Sequence, residues 1–412
     1  MSNRKTNKLK TINDPVYGFI NVPYGPIFDL IESPFFQRLR NIKQLGLAHL
    51  VFPGALHTRF HHALGSMHLM GLAIKVLRSK GHEISDDEAL SLTQAILLHD
   101  IGHGPFSHTL EQVLLPDINH EELTEIFMHR LNRQAGYNLK DAILIFKGSY
   151  PKKALHQLVS GQLDMDRLDY LNRDSFFTGV PEGIVGWDRI IEMLNMNEEN
   201  LVVEEKGIYS VEKFIIARRL MFWQVYLHKT VIAAEQLLAS IIRRAKFLSL
   251  DGNAIAATPS LERFLKHNYS KKDFVCDDKL LLDYALLDDY DVYTALKVWA
   301  NHQDPVISQL CDNFIKRNLF RVEMQKIPFS HNYVNELKDK TRKLFRISEP
   351  ETGYFVVEGK TSNSAYDTAI DQILVMSRDG RLTDLAHASD QFNIKALSQP
   401  VEKYFLCYPK AL

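Results

Sequence analysis

The sequence predicts a mainly α-helical protein that carries a smaller α+β region at its C-terminus. Apolar residues recur at helical spacing through much of the first two thirds, and residues 211–247 are typical of one or two long helices. Short strand-like runs at residues 354–358 and 373–377, followed by a turn signal at 378–381, replace that pattern near the end. With 412 residues, of which 45% are hydrophobic, the chain is long enough for a large body with an appendage.

Changes in local pattern divide the chain into four predicted regions. They are a polar lead-in (1–12), the main helical core (13–250), a helical extension (251–319) and the α+β region (320–412). Within the core, residues 19–22 lie between two turn signals and predict a hairpin strand, and Pro34 marks a helix start. The core is therefore expected to begin with a hairpin that leads into helices.

Two helix starts in the histidine-rich part of the chain carry capping signals. Ser85, with a glutamate three residues later, predicts the start of a helix that ends at His99, where two nearby glycines break it. Asn119 predicts the start of another helix in the same way. The doublet His99–Asp100 is therefore expected at a helix end, where diverging side chains can be aimed at one ion.

The composition excludes several classes of protein. A net charge of −1 provides no overall attraction to nucleic acid or to an anionic membrane. The three scattered cysteines, Cys276, Cys311 and Cys407, argue against a disulfide scaffold and favour a reducing compartment. The polar N-terminus does not have the pattern of a signal peptide, and no apolar run approaches the length of a membrane span. We therefore expect a cytoplasmic protein with no membrane partner.

Histidines and aspartates concentrate in three short segments. Residues 97–108 contain three histidines and an aspartate, residues 58–62 contain a His-His pair, and residues 163–170 contain three aspartates. One histidine, a His-Asp doublet and a distant aspartate form a ligand set for one divalent metal ion. Such a site usually catalyses hydrolysis, often of a phosphate ester.

These segments resemble the HD-domain phosphohydrolase superfamily and, within it, the deoxynucleoside triphosphate triphosphohydrolases. The resemblance rests on residues 36–46, on the string from His99 to His108 and on the segment around Asp166, and it extends over roughly residues 13–229. It implies an HD-domain helical core that cleaves a deoxynucleoside triphosphate into deoxynucleoside and triphosphate. It also implies one divalent metal ion, whose identity (Mn, Mg, Fe, Zn or Ni) the residues do not specify.

By this resemblance the metal ligands are His62, His99, Asp100 and Asp166. His61 competes with His62 but falls on a variable position of the family pattern, and Asp164 competes with Asp166 but suits a helix cap. The family's catalytic histidines and acidic partners correspond to His103, His108, Glu111, His120 and Glu121. His120 is the expected general acid/base, and Glu111 stands where the family usually has an aspartate.

The resemblance also implies positions that contact the substrate and an activator. Polyphosphate, deoxyribose and base contacts correspond to Arg59, Gln44, Leu45, Arg167, Tyr170, Asp174, Arg218 and Tyr226, with Lys229 a further cation and Arg219 the register alternative to Arg218. A nucleotide activator site corresponds to Lys10, Asn13, Glu32, Gln37 and Arg40. The family habit further implies a homo-oligomer, either a dimer or a tetramer.

Two other functions stay open at this point. One is another HD phosphohydrolase, a nucleotidase or a phosphodiesterase, although the signatures of (p)ppGpp hydrolases and of cyclic-dinucleotide phosphodiesterases are absent. The other is a nucleotide- or nucleic-acid-binding protein that keeps the metal site without turnover. The filled ligand positions and the near-neutral charge disfavour this second alternative.

Overall fold

The computed structural model describes residues 9–134, 136–198, 200–363, 366, 372–390 and 400–412. Helices make up most of this part of the chain, and short strands form small sheets. The predicted fold class, a helical core with a smaller α+β part, is confirmed. In the described part no single helix is long and apolar enough to cross a membrane. One bent pair of helical segments, Glu205–Tyr226 with Lys229–Leu250, has sufficient length and apolar composition only when the two are taken together.

The core begins with an antiparallel hairpin. Strands β1 (Leu9–Asp14) and β2 (Gly18–Pro23) pair along their whole length, with Ile12 opposite Ile20. The hairpin predicted at residues 19–22 is thus confirmed, but the expected lead-in is wrong for residues 9–12. These residues pair with a partner strand, which local composition does not reveal. Residues 1–8 lie outside the described part.

Helices surround the centre of the core. They are α1 (Pro26–Glu32), α2 (Pro34–Gln37), α3 (Arg59–Ser79), α4 (Asp86–Leu98), α5 (His108–Leu114), α6 (His120–Asn132), α7 (Lys140–Phe146), α8 (Lys153–Val159), α9 (Met165–Thr178), α10 (Trp187–Glu192), α11 (Ile208–Met221) and α12 (Lys229–Leu250). The predicted capping boxes at Ser85 and Asn119 are present, and Pro34 opens α2. Each cap satisfies backbone N–H groups that a helix start leaves without an internal partner.

Helix α3 lies at the centre and packs against α4 and α9. Its approach to α9 depends on Gly65, where a Cβ atom would come 2.0 Å from Asp169 Oδ1. Helices α11 and α12 are separated by a π-helical turn, Phe222–Tyr226, so the predicted long helical stretch is two helices. Near the end of α11, Leu220 is 38% exposed, because Ala217 and Met221, one helical turn apart, occupy the buried face of the helix.

The helical extension packs directly on the core. It comprises α13 (Pro259–Lys266), α14 (Lys271–Cys276), α15 (Asp278–Ala285), α16 (Asp289–Trp299) and α17 (Pro305–Ile315). The buried Asp289 accepts hydrogen bonds from the backbone N–H groups of Phe106 (2.8 Å) and Lys43 (3.0 Å). Tyr284 donates to the Gly102 carbonyl at 3.0 Å. The extension thereby holds in place the histidine-containing segment 99–108 and the backbone at Lys43.

The C-terminal part forms two sheets and shares one of them with the core. Its elements are β5 (Arg321–Gln325), α18 (His331–Phe345), β6 (Val357–Asn363), β7 (Leu374–Met376), β8 (Leu382–Asp384), α19 (Leu385–Ala388) and β9 (Val401–Tyr408). One sheet has the order β5-β9-β6; the other joins β7 and β8 to β3 (Leu194–Asn197) and β4 (Asn200–Glu204) of the core. The strand predicted at 373–377 is confirmed, but most of 354–358 precedes β6, since a 3-10 turn occupies Pro350–Tyr354.

Candidate active site

Three elements bring four side chains to one point. His62 on α3, His99 at the end of α4 and Asp166 on α9 converge, with His62 Nε2 3.3 Å from His99 Nε2 and 3.0 Å from Asp166 Oδ1. Asp100 completes the group, since its Oδ1 lies 3.5 Å from His99 Nε2 and its Oδ2 lies 3.7 Å from His62 Nε2. The ligand atoms of His62, His99 and Asp166 lie close enough together to bind a single small cation, and Asp100 lies beside them.

The second nitrogen of each histidine is engaged elsewhere. His62 Nδ1 lies 2.7 Å from Asp169 Oδ2, and His99 Nδ1 lies 2.6 Å from the Ile96 carbonyl. Both partners are acceptors, so each Nδ1 carries a proton, and each Nε2 faces the shared point, where it can bind a second proton or, in its place, a metal ion. The donor chemistry therefore fits a divalent metal ion held by two imidazoles and two carboxylates.

Electrostatics at this point favour positive charge. Burial disfavours protonation of His62, but hydrogen bonds to Asp166 and Asp169 outweigh it and raise the pKa of His62 to about 10. Burial likewise opposes ionisation of Asp166, yet His62 and His99 hold its pKa below the usual value. A buried group that keeps its carboxylates ionised and attracts protons to its imidazoles also attracts a metal cation.

Hydrogen bonds show which member of each ambiguous pair, His61 or His62 and Asp164 or Asp166, faces the first cluster. His61 turns away from the cluster, and its Nδ1 accepts from the Thr58 backbone N–H at 3.1 Å in the capping box of α3. Asp164 is the N-cap of α9 and accepts from the Arg167 backbone N–H at 2.7 Å. Both residues therefore cap helices, and for Asp164 this is the alternative that the sequence suggested.

A strained turn ties Asp100 to the next segment. Arg59 forms an ion pair with Asp100 and donates from Nε to Ser107 Oγ at 2.8 Å. Phe106 and Ser107 both have positive φ, 53° and 50°, which non-glycine residues rarely adopt. The Asp289 carboxylate, which accepts from the Phe106 N–H, helps to hold this turn in place.

A second cluster adjoins the first. The rings of His103 and His120 stack with centroids 3.9 Å apart, His120 Nδ1 lies 2.8 Å from Glu111 Oε2, and the exposed His108 lies 3.5 Å from the same oxygen. His103 Nε2 is 3.4 Å from Asp100 Oδ1, which links the two clusters. Burial and the nearby charge of Arg59 lower the pKa of His103 well below its ordinary value, so this imidazole is neutral.

Both clusters open into one cavity of about 480 Å³. Many of the predicted catalytic, substrate-binding and metal-binding residues line it: Gln44, Leu45, Arg59, Asp100, His103, His108, His120, Asp166, Tyr170, Asp174 and Tyr226. At one end of the cavity the buried Asp174 contacts two side chains. Its Oδ1 lies 2.8 Å from His57 Nε2, and its Oδ2 accepts a hydrogen bond from the Tyr226 hydroxyl at 2.7 Å. Asp174 is thus held rigidly at the cavity wall.

Three predicted residues lie elsewhere. Glu121 is exposed in the first turn of α6, because adjacent helical residues point about 100° apart and His120 takes the inward direction. Arg167 pairs with Asp164, and Arg218 donates to Gln162 Oε1 at 3.2 Å; neither is part of the cavity lining. Burial raises the pKa of Tyr170 to about 12, and the positive charges of Arg218 and Arg167 oppose this rise.

Sequence reasoning missed three residues of the site. His57 positions Asp174, Asp169 orients His62, and Glu235 of α12 lines the cavity. Asp169 follows Asp166 by three residues, so helical spacing could have indicated it. His57 and Glu235 carry no local signal, because their partners are distant in the sequence.

The predicted activator positions surround a second cavity of about 250 Å³. Lys10, Asn13, Glu32 and Arg40 line it, together with residues of the first hairpin, α1 and α3. The Arg40 guanidinium lies 3.6 Å from the centroid of the Phe60 ring, which also faces this cavity. Gln37 is not part of the lining; its amide donates to the Ile31 carbonyl at 2.7 Å.

Gly102 sets the spacing between the two clusters and provides a test of the site. A Cβ atom at this position would come 2.2 Å from the His120 carbonyl and 2.4 Å from the Thr124 backbone nitrogen. Gly102→Ala is therefore expected to displace the start of α6 and to lower the free energy of unfolding by about 2 kcal/mol or more. Urea denaturation measures this loss. Gly71→Ala, where nothing lies within 4 Å, is the matched control and should not destabilise the protein.

Comparisons with known proteins agree with this geometry. Residues 185–258, which include α10–α12, match the family model described as HD associated region. The uncharacterized Bacillus subtilis protein YwfO is 34% identical over 373 residues, covering 89% of this chain and 82% of YwfO. A phosphohydrolase from Bacteroides thetaiotaomicron of known crystal structure is 49% identical, covers 98% of this chain and all of its own, and superposes with a TM-score of 0.94.

A more distant relative carries an activity in its name. The deoxynucleoside triphosphate triphosphohydrolase SAMHD1 homolog of Dictyostelium discoideum is 31% identical over 270 residues, which cover 60% of this chain and 52% of that protein. The chain thus spans about half the length of this relative. The fold, the paired clusters and these similarities define the class of HD-type phosphohydrolases, and the first cluster could hold a divalent metal ion. The chain belongs to the HD-domain phosphohydrolase family.

Proposed function

We propose that the protein hydrolyses deoxynucleoside triphosphates to deoxynucleoside and triphosphate. The observation that carries this proposal is that Asp100 and Asp166 of the first cluster and His120 of the second line the same cavity as a rigidly held sugar-binding candidate, Asp174. A cavity of about 480 Å³ has the size of a small-molecule site and can accommodate a nucleotide. The similarity to the Dictyostelium triphosphohydrolase supports the same reaction.

His62, His99, Asp100 and Asp166 would hold the metal ion. A divalent ion at this point supplies Lewis-acid polarisation of a phosphate oxygen. Arg59 lines the cavity beside Asp100 and adds positive charge for the polyphosphate. Its ion pair with Asp100 and its bond to Ser107 fix the guanidinium, so it can meet the substrate without reorganisation.

The His120–Glu111 pair is suited to proton transfer. Burial opposes ionisation of Glu111, but hydrogen bonds to His108 and His120 hold its pKa below the usual value, so it remains a carboxylate beside His120. Glu111 Oε2 accepts a hydrogen bond from His120 Nδ1 at 2.8 Å, and this contact orients the imidazole. When water adds to the α-phosphorus and the bond to the sugar O5′ breaks, the leaving O5′ must receive a proton, and His120 can donate it.

The other end of the cavity suits a deoxyribose. Asp174 is an acceptor that His57 and Tyr226 hold in one orientation, so it can accept a hydrogen bond from the sugar 3′-hydroxyl. Leu45 and Gln44 line the same cavity. Close contact of these side chains with C2′ would disfavour a ribose, because the extra hydroxyl would lose its water without gaining a partner.

We further propose that the second cavity binds a nucleotide activator and that the chain self-associates. Lys10 and Arg40 offer cationic groups, and Asn13 and Glu32 offer polar groups for a base. The expectation is that turnover of one deoxynucleoside triphosphate increases when a second nucleotide is added, and that size-exclusion chromatography reports a dimer or tetramer. Single substrates turned over at the full rate by a monomer would contradict both expectations.

Glu111→Gln tests the proton-transfer role. The amide removes the negative charge that accepts a hydrogen bond from His120 Nδ1 and orients the ring, so kcat is expected to fall by about 10²- to 10³-fold with little change in KM. Steady-state kinetics across pH 5–9 measure this loss. Glu121→Gln is the matched control, since Glu121 is exposed next to His120 and should retain wild-type activity. Equal losses of kcat in the two variants would implicate Glu121 in the reaction and contradict the assignment of proton transfer to the His120–Glu111 pair.

The test of the reaction itself is incubation with each deoxynucleoside triphosphate, alone and mixed, in the presence of Mn²⁺ or Mg²⁺. Ion-exchange chromatography identifies the products. Deoxynucleoside and triphosphate support the proposal, whereas a monophosphate or single phosphates would indicate another HD chemistry, the second candidate. Absence of turnover with any nucleotide and metal would contradict it.

A further inference from the structure

One wall of the active-site cavity is apolar except for a single glutamate. Phe222, Tyr226, Leu227 and Val231, from the π-helical turn and the start of α12, line this wall. Glu235 lies one helical turn after Val231 and lines the same cavity. Neither the metal site nor the His120–Glu111 pair uses it.

One hydrogen bond, with Thr109, offsets the loss of water around the Glu235 carboxyl group. Burial raises its pKa to about 7, opposed by a hydrogen bond with Thr109. A carboxylate has about four acceptor positions, and the Thr109 hydroxyl occupies one of them. The remaining positions are available to hydrogen-bond donors of a ligand in the cavity. A ligand that supplied such donors would relieve the cost of keeping this charge among apolar groups.

If the substrate binds as the proposed function requires, its base lies against this apolar wall. The triphosphate lies towards the metal ligands and the sugar towards Asp174, so the base occupies the remaining volume. Phe222 and Tyr226, whose ring centroids are 5.1 Å apart, provide aromatic surface for a planar ring. A base beside these rings would present its polar edge within the cavity that Glu235 also lines.

We propose that Glu235 recognises the base and selects guanine; this inference rests on the proposed function. The Watson–Crick edge of guanine presents two adjacent donors, N1–H and the N2 amino group, and an ionised carboxylate can accept from both. Adenine presents one donor and one acceptor, so its N1 lone pair would face a carboxylate oxygen. Charge-assisted hydrogen bonds of this kind are among the strongest in proteins, and a site built to make them discriminates well.

The test is Glu235→Gln in an equimolar mixture of the four deoxynucleoside triphosphates. In a mixture the rates are proportional to kcat/KM, and any activator is present for every substrate. The carboxamide matches adenine, with one donor and one acceptor, and opposes one guanine donor. The dGTP-to-dATP rate ratio is therefore expected to fall by about 10- to 100-fold. Wild type should also prefer dGTP to dITP, which lacks the N2 amino group, and the variant should lose most of that preference.

Two further variants separate recognition from folding. Thr109→Val removes the hydrogen bond but keeps the carboxyl group, and it should lower the same ratio less than Glu235→Gln does. Gln236→Asn changes a neighbouring residue of α12 outside the cavity lining and should leave the ratio unchanged. An unchanged dGTP-to-dATP ratio in folded Glu235→Gln would overturn the inference and leave the proposed reaction intact.

A binding measurement keeps the inference testable if no triphosphate is hydrolysed. Isothermal titration calorimetry compares deoxyguanosine with deoxyadenosine for wild type and for Glu235→Gln. Weaker binding of deoxyguanosine to the variant, with unchanged binding of deoxyadenosine, supports guanine recognition whatever the reaction is. Equal affinities of both proteins for deoxyguanosine, or no binding of either nucleoside, overturn it.

Discussion

Asp166→Asn is expected to lower phosphohydrolase activity by at least about 10³-fold and to weaken divalent metal binding. The Asp166 carboxylate lies 3.0 Å from His62 Nε2 and 3.5 Å from His99 Nε2, where it would share one ion with both imidazoles. The amide has the same shape but removes a negative charge from the ligand set. The expected loss therefore reflects metal affinity and not a gap in packing. Metal content after gel filtration, measured by mass spectrometry, and initial rates at saturating Mn²⁺ check the two parts.

Asp164→Asn is the matched control for that variant. Asp164 lies two residues earlier, caps α9 and is fully buried, but it points to Arg167 and not to the metal cluster. Its change is expected to lower stability while metal stoichiometry stays near that of wild type. If Asp164→Asn lost the metal and Asp166→Asn kept it, the ligand assignment would be reversed.

Arg173→Met is expected to lower the free energy of unfolding by about 3–5 kcal/mol. The side chain of Arg173 is completely buried and donates to Asp14 Oδ2 at 2.7 Å and to Asp169 Oδ2 at 2.9 Å. Methionine fills much of the volume but leaves two buried carboxylates without their cation. Because Asp169 also orients His62, the variant should in addition weaken metal binding.

Urea denaturation monitored by circular dichroism measures the stability change. Arg189→Met is the control, because Arg189 is exposed and its loss should change stability by less than about 0.5 kcal/mol. A loss below about 1 kcal/mol for Arg173→Met would show that the two carboxylates find other partners or become protonated. In that case the buried ion network does not anchor the hairpin to α9.

Local signals were reliable where the interaction itself is local. The caps at Ser85 and Asn119 depend on a side chain three residues away, so a short pattern contains the whole interaction. The same holds for the break after His99, which follows from nearby glycines. Residues 9–12 show the opposite case, since their strand exists through pairing with β2 and their own composition is that of a polar lead-in.

Motif matching indicated the site but not the direction of every side chain. Glu121 adjoins His120 and falls within the same motif, yet the helix turns it to solvent. Arg218 donates a hydrogen bond to Gln162, and this contact with a distant residue holds its side chain in its observed direction. Spacing along a chain predicts a helical face, whereas the identity of the face that meets a cavity depends on the neighbouring elements.

By itself the sequence determined the helical class, the caps and the segments that carry the family resemblance, because each of these follows from residue types at short, fixed spacings. The tertiary structure decided which distant groups support that site. Asp289 meets Phe106 across 183 positions, and His57 meets Asp174 across 117. Only packing brings such pairs together, since hydrogen bonds act over about 3 Å and carry no signal along the chain. The same holds for Glu235, which lies far from the motifs but lines the cavity they open into.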